Sequence, residues 1–253
     1  MYSLRPRVKI LMYHDIISNS SPNTWDVSIG NFEKQMDYLF KQRYNVISLD
    51  DLRDHILEIR KLIKPSIVIT FDDGMKGVYQ FAFPIIKHYG FSATVFLISD
   101  FIGKKIVKNE ETKEHLNYDE IKKMYKYGIQ FGSHTLDHQI LTRLSPSKAK
   151  YQIEESKKKL IESLNINIDY FCYPGGYFNE EVKNLAKGAG YKGACSTFTY
   201  GRNNKEADLF QLKRIGIYQS DSIFHFCFKL SVINEVAEWL KNCIQKVKWY
   251  IKK

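Results

Sequence analysis

The feature that most constrains the fold is a regular alternation of short apolar segments with longer amphipathic ones. Eight segments are rich in β-branched and aromatic residues and have the length of strands: 8–13, 45–48, 66–71, 93–98, 129–132, 170–173, 193–196 and 212–217. Six segments with helical periodicity lie between them: 31–42, 49–60, 77–89, 118–127, 145–164 and 179–188. Strands that alternate with helices in this way form parallel sheets, so the chain is predicted to be an α/β protein.

A single barrel accounts for this alternation better than a dinucleotide-binding fold, because no GxGxxG follows the first strand. A chain of 253 residues can form one large barrel or two small domains, and no segment has the composition of a linker. We predict a distorted (β/α) barrel of seven or eight strands over residues 1–220. Residues 103–117 are the longest stretch predicted to be irregular, and residues 221–253 are predicted to be a basic amphipathic helix, part of the barrel domain or docked on it.

The charge pattern argues against nucleic-acid binding, although the formal net charge is +10. The lysines of residues 148–159 lie at helical spacing from glutamates, as on a solvated helix face. The sequence contains no RNP, zinc-finger or helix-turn-helix signature. The four cysteines form no CxxC pair, and no apolar run is long enough for a signal peptide or a membrane span. We therefore expect a cytoplasmic protein, if Met1 is the natural start.

The last 23 residues allow two interpretations. Apolar residues recur at helical spacing from residue 231 onwards, as expected of a helix that packs on the barrel. However, no acidic residue follows Glu238, whereas five lysines and Trp249 do. This composition is also typical of a helix that touches an anionic membrane surface, so a peripheral membrane contact is a second hypothesis.

Two adjacent carboxylates follow the third predicted strand. The segment ITFDDG ends a buried strand at Phe71 and continues with Asp72, Asp73 and Gly74. Neighbouring carboxylates repel each other unless a cation, an arginine or a proton lies between them. An Asx turn that caps the next helix is the alternative interpretation.

Three further clusters follow other strands. His134 and His138 lie four residues apart, a spacing that suits a catalytic metal site with three protein ligands when a carboxylate is nearby. His14 ends the first strand, and Pro174–Gly175–Gly176 ends a later one. The carboxyl ends of barrel strands meet at one face, where such folds place their active sites. The sequence therefore predicts that the four clusters converge.

These segments resemble the polysaccharide deacetylase family, the carbohydrate esterases that share the NodB-type barrel. The similarity extends over about residues 8–218 and includes TFDDG, HxxxH and the flanking NFEKQMDYLFKQRYNVISLDDL and GFSATVFL. The early YHDI is most similar to the branch that contains deacetylases of biofilm poly-N-acetylglucosamine. The resemblance implies metal-dependent hydrolysis of N-acetyl groups from an amino-sugar glycan, either a polysaccharide or a lipid-linked saccharide.

The resemblance also implies roles for individual residues. Three residues are expected to bind the divalent cation: Asp73, His134 and His138. Zinc is the first choice for this set, and cobalt, nickel and manganese are also compatible with it. Asp72 takes the place of the family's general base, and the N–H of Gly175 would face the oxyanion. Many members use a histidine of a late LxH motif as general acid; this chain lacks the motif, and its YHDI points to His14.

The third motif departs from the family pattern. Cys172 occupies the position of the arginine that orients the base, and Gly175 that of an aromatic residue. Arg214 is a candidate replacement for the arginine and a candidate substrate contact. Trp25 and Tyr177 are candidates for stacking on a sugar, with loop packing as the alternative.

Other functions stay open. The alternatives are a binding barrel that has lost catalysis and another metal-dependent amidase or esterase. A glycoside hydrolase is a poorer fit, because it needs two separated carboxylates and no metal.

Overall fold

The structure is a computed structural model that describes residues 8–18, 21–108, 111–197, 203–204 and 206–231. Within them the chain forms the strands β1 (Val8–Tyr13), β2 (Ile16–Ile17), β3 (Val27–Ser28), β4 (Asn45–Val46), β5 (Ser66–Phe71), β6 (Thr94–Leu97), β7 (Lys105–Lys108), β8 (Glu111–Glu114), β9 (Gln130–Ser133), β10 (Tyr170–Cys172), β11 (Gly193–Cys195) and β12 (Arg214–Gly216). It also forms the helices α1 (Ile29–Lys41), α2 (Leu49–Ile56), α3 (Phe83–Tyr89), α4 (Tyr118–Tyr127), α5 (Pro146–Leu164), α6 (Glu180–Gly188) and α7 (Ile223–Leu230).

Eight of the strands form a parallel sheet that curves into a nearly closed barrel. The strand order is β11-β10-β9-β6-β5-β1-β12, with β4 paired to the first residues of β5. The two ends of this order approach each other, because a parallel bridge joins Cys195 at the end of β11 to Leu212 just before β12. The predicted distorted (β/α) barrel is therefore confirmed.

The central strands are buried on both faces. Every residue of β1 and β5 is buried, and the two strands pair in parallel over their whole length. Strands covered on both sides are continuous apolar runs rather than alternating patterns. The sequences VKILMY and SIVITF have this character, which explains why both strands have the predicted bounds.

Side-chain caps determine where several helices begin. Ser48 and Asp51 form a reciprocal capping box at α2, and Asn117 and Glu120 form another at α4. Asn179 accepts a hydrogen bond from the third residue of α6 in the same way. Each cap satisfies backbone N–H groups that have no partner inside the helix.

The core has two parts, one on each side of the sheet. The larger part lies between the strands and the outer helices and includes Leu11 and Phe71. The smaller part includes Val8, Ile10 and Val68, together with the apolar face of α2. Alternate residues of β1 thus point to opposite sides, as the pleat of a strand requires. The apolar face of α2 therefore packs on the side chains of the barrel interior.

Two predicted segments differ in the structure. Residues 103–117 are not irregular, because β7 and β8 pair there as an antiparallel hairpin. The predicted helix over residues 77–89 is divided into a π-helical turn at Val78–Ala82 and α3. The π-helical turn follows the Asp72–Asp73 pair closely in the chain. The hairpin lies beside this pair in the structure.

Most of the C-terminal segment lies outside the described residues. The helix α7 packs on α1, with the rings of Phe226 and Tyr38 6.1 Å apart. The ammonium of Lys9 donates hydrogen bonds to the carbonyl groups of residues 229–231. Within the described part of the chain, no helix is both long enough and apolar enough to cross a membrane. The predicted helix from residue 231, its membrane contact and the domain boundary at residue 220 stay predictions.

Candidate metal and catalytic site

A buried ion pair follows the end of β5. Arg214 of β12 donates one hydrogen bond to each carboxylate oxygen of Asp72, both at 2.7 Å. Arg214 is 1% exposed and Asp72 is 3% exposed. Burial alone would raise the pKa of Asp72, but the charge and hydrogen bonds of Arg214 hold this pKa well below its usual range. Asp72 is therefore an ionised carboxylate in a fixed orientation.

The guanidinium of Arg214 is satisfied on every side by buried groups. It also donates to the hydroxyl of Thr70 and the carbonyl of Ser196, each at 3.1 Å, and lies 3.1 Å from the sulfur of Cys172. The prediction of Arg214 as a substrate contact therefore needs correction, because a side chain enclosed in this way lies beneath the site. Its position beside Asp72 matches the other prediction, that Arg214 replaces the arginine missing at Cys172.

Asp73, His134 and His138 form a compact cluster next to the ion pair. Asp73 Oδ1 lies 3.4 Å from Nε2 of His134 and 3.5 Å from Nε2 of His138. Asp73 and His138 both have positive φ, 68° and 65°, which non-glycine residues rarely adopt. Strained backbone at both positions turns the two side chains toward the same point.

The hydrogen bonds of this cluster leave its inner atoms free for a cation. His134 Nδ1 lies 2.7 Å from the carbonyl oxygen of Cys172 and must donate to it, so Nε2 presents a lone pair to Asp73. Asp73 Oδ1 is buried and has no hydrogen-bond partner among the described residues. Burial, followed by the proximity of His138, lowers the pKa of His134 to about 4, so the ring is neutral at pH 7. An unpaired carboxylate oxygen and two imidazole nitrogens suit a divalent transition metal.

A second group of possible ligands is a poorer metal site. Donor atoms of Asp72, His134 and Cys172 also lie within 4.8 Å of one another. However, both oxygens of Asp72 already accept hydrogen bonds from Arg214. A cation placed there would lie against the guanidinium charge, so the cluster of Asp73, His134 and His138 fits a metal better.

His115 supports this cluster, a role that was not predicted from the sequence. His115 follows β8 and its Nδ1 lies 3.0 Å from the backbone carbonyl of Asp73, to which it donates. His115 is 6% exposed. Its role could not be predicted because residues 103–117 were expected to be irregular. Only the β7–β8 hairpin brings His115 to the site.

His14 faces the site from the end of β1. Its ring packs on the indole of Trp25, with 4.6 Å between the centroids, and Trp25 packs at the same distance on Tyr218. His14 Nδ1 is buried without a hydrogen-bond partner among the described residues. His14 is also, after Arg214 and His134, among the groups that lower the pKa of Asp72. Trp25, predicted to stack on a sugar, thus also packs against the candidate acid.

The Pro174–Gly176 turn forms another edge of the same face. Gly175 has φ 61°, and a Cβ there would lie 3.1 Å from the ring of Tyr177. The absence of a side chain lets the ring of Tyr177 approach the turn. Tyr177 is 46% exposed, so it is accessible to a substrate.

A cavity of about 430 Å³ opens beside Asp73 and His138. Its walls combine apolar side chains with polar ones: Asn23, Met75, Ile98, Phe101, Ile106, Lys113, His115 and Asp137. Pockets of this size with a few converging polar groups are typical sites for small molecules or for one unit of a polymer. The four clusters predicted from the sequence follow β1, β5, β9 and β10, whose parallel arrangement places all four at the same face of the barrel as this cavity.

Comparisons with known proteins agree with this arrangement. A sequence profile described as polysaccharide deacetylase matches residues 60–194. YxkH of Bacillus subtilis is 31% identical over 211 residues, which cover 83% of this chain and 71% of that protein. The poly-β-1,6-N-acetyl-D-glucosamine N-deacetylase of Staphylococcus aureus is 28% identical over 69% of this chain and 62% of its own length.

The fold comparison covers more of the molecule. A Streptococcus pyogenes deacetylase, PplD, whose structure contains acetate, is 26% identical to this chain. The two superpose with a TM-score of 0.78 over 90% of this chain and 99% of that one. The profile match covers more than half of the chain, and the Bacillus relative more than two thirds of it. The chain belongs to the polysaccharide deacetylase family.

Proposed function

We propose that the protein hydrolyses N-acetyl groups of an amino-sugar-containing glycan. The observation that carries this proposal is the unpaired, buried Oδ1 of Asp73 facing the Nε2 atoms of His134 and His138. This cluster lies next to an ionised Asp72 on the catalytic face of the barrel, beside a cavity of about 430 Å³. Family membership supplies the reaction class, and the residues of the site are compatible with it.

The roles of the chain's own groups follow from their protonation and position. A divalent cation held by Asp73, His134 and His138, with zinc as first choice, would polarise the acetyl carbonyl and make water a better nucleophile. Asp72 accepts the proton of the attacking water. The N–H of Gly175 faces the oxyanion, and His14 donates a proton to the departing amine. Arg214 is a positioning residue that keeps Asp72 ionised and oriented.

The low pKa of Asp72 has a consequence for this scheme. A carboxylate stabilised by a bidentate arginine is a weak base, so it cannot deprotonate ordinary water. A divalent cation held by Asp73, His134 and His138 would supply the Lewis acidity that makes water easier to deprotonate. We therefore expect Asp72 to act as a base only when that site is filled.

Poly-N-acetylglucosamine with β-1,6 linkages is the substrate that we propose first. The support is the staphylococcal relative, whose name gives this polymer as its substrate, together with the YHDI segment at the end of β1. The chain spans 62% of that relative's length. Other N-acetylated glycans, including lipid-linked saccharides, are the alternatives.

Acetate release tests the proposal directly. Purified protein, loaded with Zn²⁺, is incubated with β-1,6-linked N-acetylglucosamine oligomers, with chitooligosaccharides and with lipid-linked N-acetylglucosamine. We expect release from at least one of them, with His134→Ala as the inactive control. Binding without release would favour a barrel that has lost catalysis, and release from simple aryl acetates alone would favour another esterase.

A further inference from the structure

Asp26 is a buried carboxylate whose role is not explained by the reaction. It is 1% exposed, and it accepts hydrogen bonds from Ser21 Oγ at 2.6 Å, Asn23 Nδ2 at 3.1 Å and Lys113 Nζ at 2.8 Å. Three donors, one of them cationic, satisfy the buried carboxylate and fix its position. Asp26 therefore joins separate segments of the chain through its hydrogen bonds.

One of these segments carries Trp25. Asn23, which donates to Asp26, also accepts a hydrogen bond from the backbone N–H of Trp25 at 3.1 Å. The indole of Trp25 packs on His14, whose Nδ1 has no hydrogen-bond partner within the described residues. A catalytic imidazole usually owes its orientation to a hydrogen bond at its second nitrogen. Here the orientation of the His14 ring depends on packing, and therefore on the position of Trp25.

The other segment is the hairpin on the metal side of the face. Lys113 lies in β8, 87 residues from Asp26, and both Lys113 and Ile106 line the cavity beside Asp73. The side chain of Lys113 is 22% exposed and that of Asp26 is 2% exposed, so water screens this ion pair less than a surface pair. The pair joins the segment that supports His14 to the hairpin that borders the candidate metal site.

We propose that the Asp26–Lys113 pair is a positioning clasp: it holds Trp25 against His14 and holds the β7–β8 hairpin over the substrate cavity. The effect on catalysis rests on the proposed function, whereas the effect on Trp25 does not. Substrate binding and proton donation then both depend on this ion pair. The charges of both residues also act on the pKa of Asp15: Asp26 raises it and Lys113 lowers it.

The fluorescence of Trp25 tests the clasp without an activity assay. The other tryptophans, Trp239 and Trp249, are replaced by phenylalanine in every protein compared. Lys113→Met keeps the aliphatic stem and removes the ammonium, so we expect acrylamide quenching of Trp25 to rise about twofold as the segment opens locally. Lys113→Arg keeps the cation and should restore the original quenching. Unchanged quenching in Lys113→Met overturns the proposal.

The same hairpin offers a matched control. Lys105 forms an ion pair with Glu114 at 2.5 Å, and both side chains are exposed, by 67% and 37%. Lys105→Met removes an equal charge from the neighbouring strand and should leave Trp25 quenching unchanged. An equal rise in Lys105→Met and Lys113→Met would mean that any loss of charge loosens the hairpin, and the clasp would be refuted.

Kinetics test the link to His14. With an amide substrate, whose leaving amine needs a proton, Lys113→Met should lower kcat by about 10–100-fold, since small misplacements of reacting groups have effects of this size. With an activated aryl acetate, whose leaving group needs no proton, the loss of kcat should stay within about threefold. Equal losses on both substrates, or a loss of bound metal, overturn the clasp. Absence of acetate release from wild-type protein would refute the proposed function alone, because the quenching result stands independently.

Discussion

At the scale of single residues, the candidate catalytic groups depend on partners that lie far away in the chain. Arg214, which orients Asp72, lies 142 residues from it, and Lys113 lies 87 residues from Asp26. Only closure of the barrel brings these partners together.

His14 is the residue whose role is most directly testable. We expect His14→Ala to keep its fold and its metal, because the residue is not in the metal cluster. Turnover of an amide substrate should fall by about 10²–10⁴-fold, the usual effect of losing a general acid. An activated aryl ester should lose much less. Steady-state rates on both substrates, together with metal analysis of the variant, test this role. Equal losses of turnover on both substrates, with the metal still bound, would make His14 a structural residue.

Asp15, the neighbour of His14, gives a prediction about pH. Burial, followed by the charge of Asp26, raises its pKa to about 7 in the folded protein. Because this value lies above that of the unfolded chain, about 4, the folded state holds the proton more tightly. The contribution of Asp15 to stability is therefore full below about pH 4 and is lost as the pH rises through 7.

The variant Asp15→Asn isolates this contribution. Its amide oxygen can still accept the backbone hydrogen bond from Ile16, and it does not titrate. Between pH 5 and pH 8, the free energy of unfolding of the wild type should fall by about 2–3 kcal/mol more than that of the variant. Denaturant unfolding at the two pH values measures both. Parallel pH dependence in the two proteins would contradict the raised pKa.

At the scale of elements, periodicity predicted what local sequence controls. The helix α4 has the predicted bounds, because a capping box starts it and Gly128 in the left-handed region ends it. The hairpin of β7 and β8 was missed because its strands contain mainly lysine, glutamate and threonine. Such strands have no buried face to produce an apolar alternation. The hairpin is positioned by contacts with distant residues instead, such as that of Lys113 with Asp26. Polar groups that follow buried strands, such as the candidate metal ligands, could be predicted from the sequence. A contact that only closure of the barrel creates could not.

One glycine determines how the segment after β1 meets the segment after β5. A Cβ on Gly77 would lie 2.1 Å from the carbonyl oxygen of Ile16 and 2.2 Å from Oδ1 of Asp15. We expect Gly77→Ala to destabilise the protein by about 2–4 kcal/mol, because backbone must move to relieve the overlap. It should also lower activity, since these segments carry His14 and Asp73. Thermal unfolding and acetate release measure the two effects.

The matched control is Gly30→Ala. Gly30 lies in the first turn of α1, and a Cβ there would meet nothing within 4 Å. This substitution should stabilise the protein by about 0.5–1 kcal/mol, because alanine loses less conformational entropy than glycine in a helix. Similar effects of Gly30→Ala and Gly77→Ala would show that the close approach at Gly77 has no energetic importance.

At the scale of the whole molecule, the barrel places ligands from two strand ends around one point. Asp73 follows β5, and His134 and His138 follow β9, with β6 between these strands. A cation that binds this cluster binds only the folded barrel, since the unfolded chain does not hold the three residues together. Metal occupancy should therefore be coupled to global stability.

Removal of the metal should lower the midpoint of thermal unfolding. At a free Zn²⁺ concentration 100 times the dissociation constant, binding contributes about 2.7 kcal/mol, which for a chain of this size is a shift of about 5–10 °C. Treatment with a chelator should abolish the shift together with activity, and Zn²⁺ should restore both. His134→Ala and His138→Ala should show no shift at any Zn²⁺ concentration that saturates the wild type.

Asp72→Asn separates the metal ligands from the base. This variant leaves the buried guanidinium of Arg214 without its counter-charge, so it should lose about 3–5 kcal/mol of stability before any metal is added. It keeps Asp73, His134 and His138, however, and its unfolding midpoint should still rise on addition of Zn²⁺ by as much as that of the wild type. It should have no turnover, because asparagine cannot accept the proton from water. An Asp72→Asn protein that folds but does not respond to Zn²⁺ would place Asp72 among the ligands, and the division of roles between the two aspartates would be wrong.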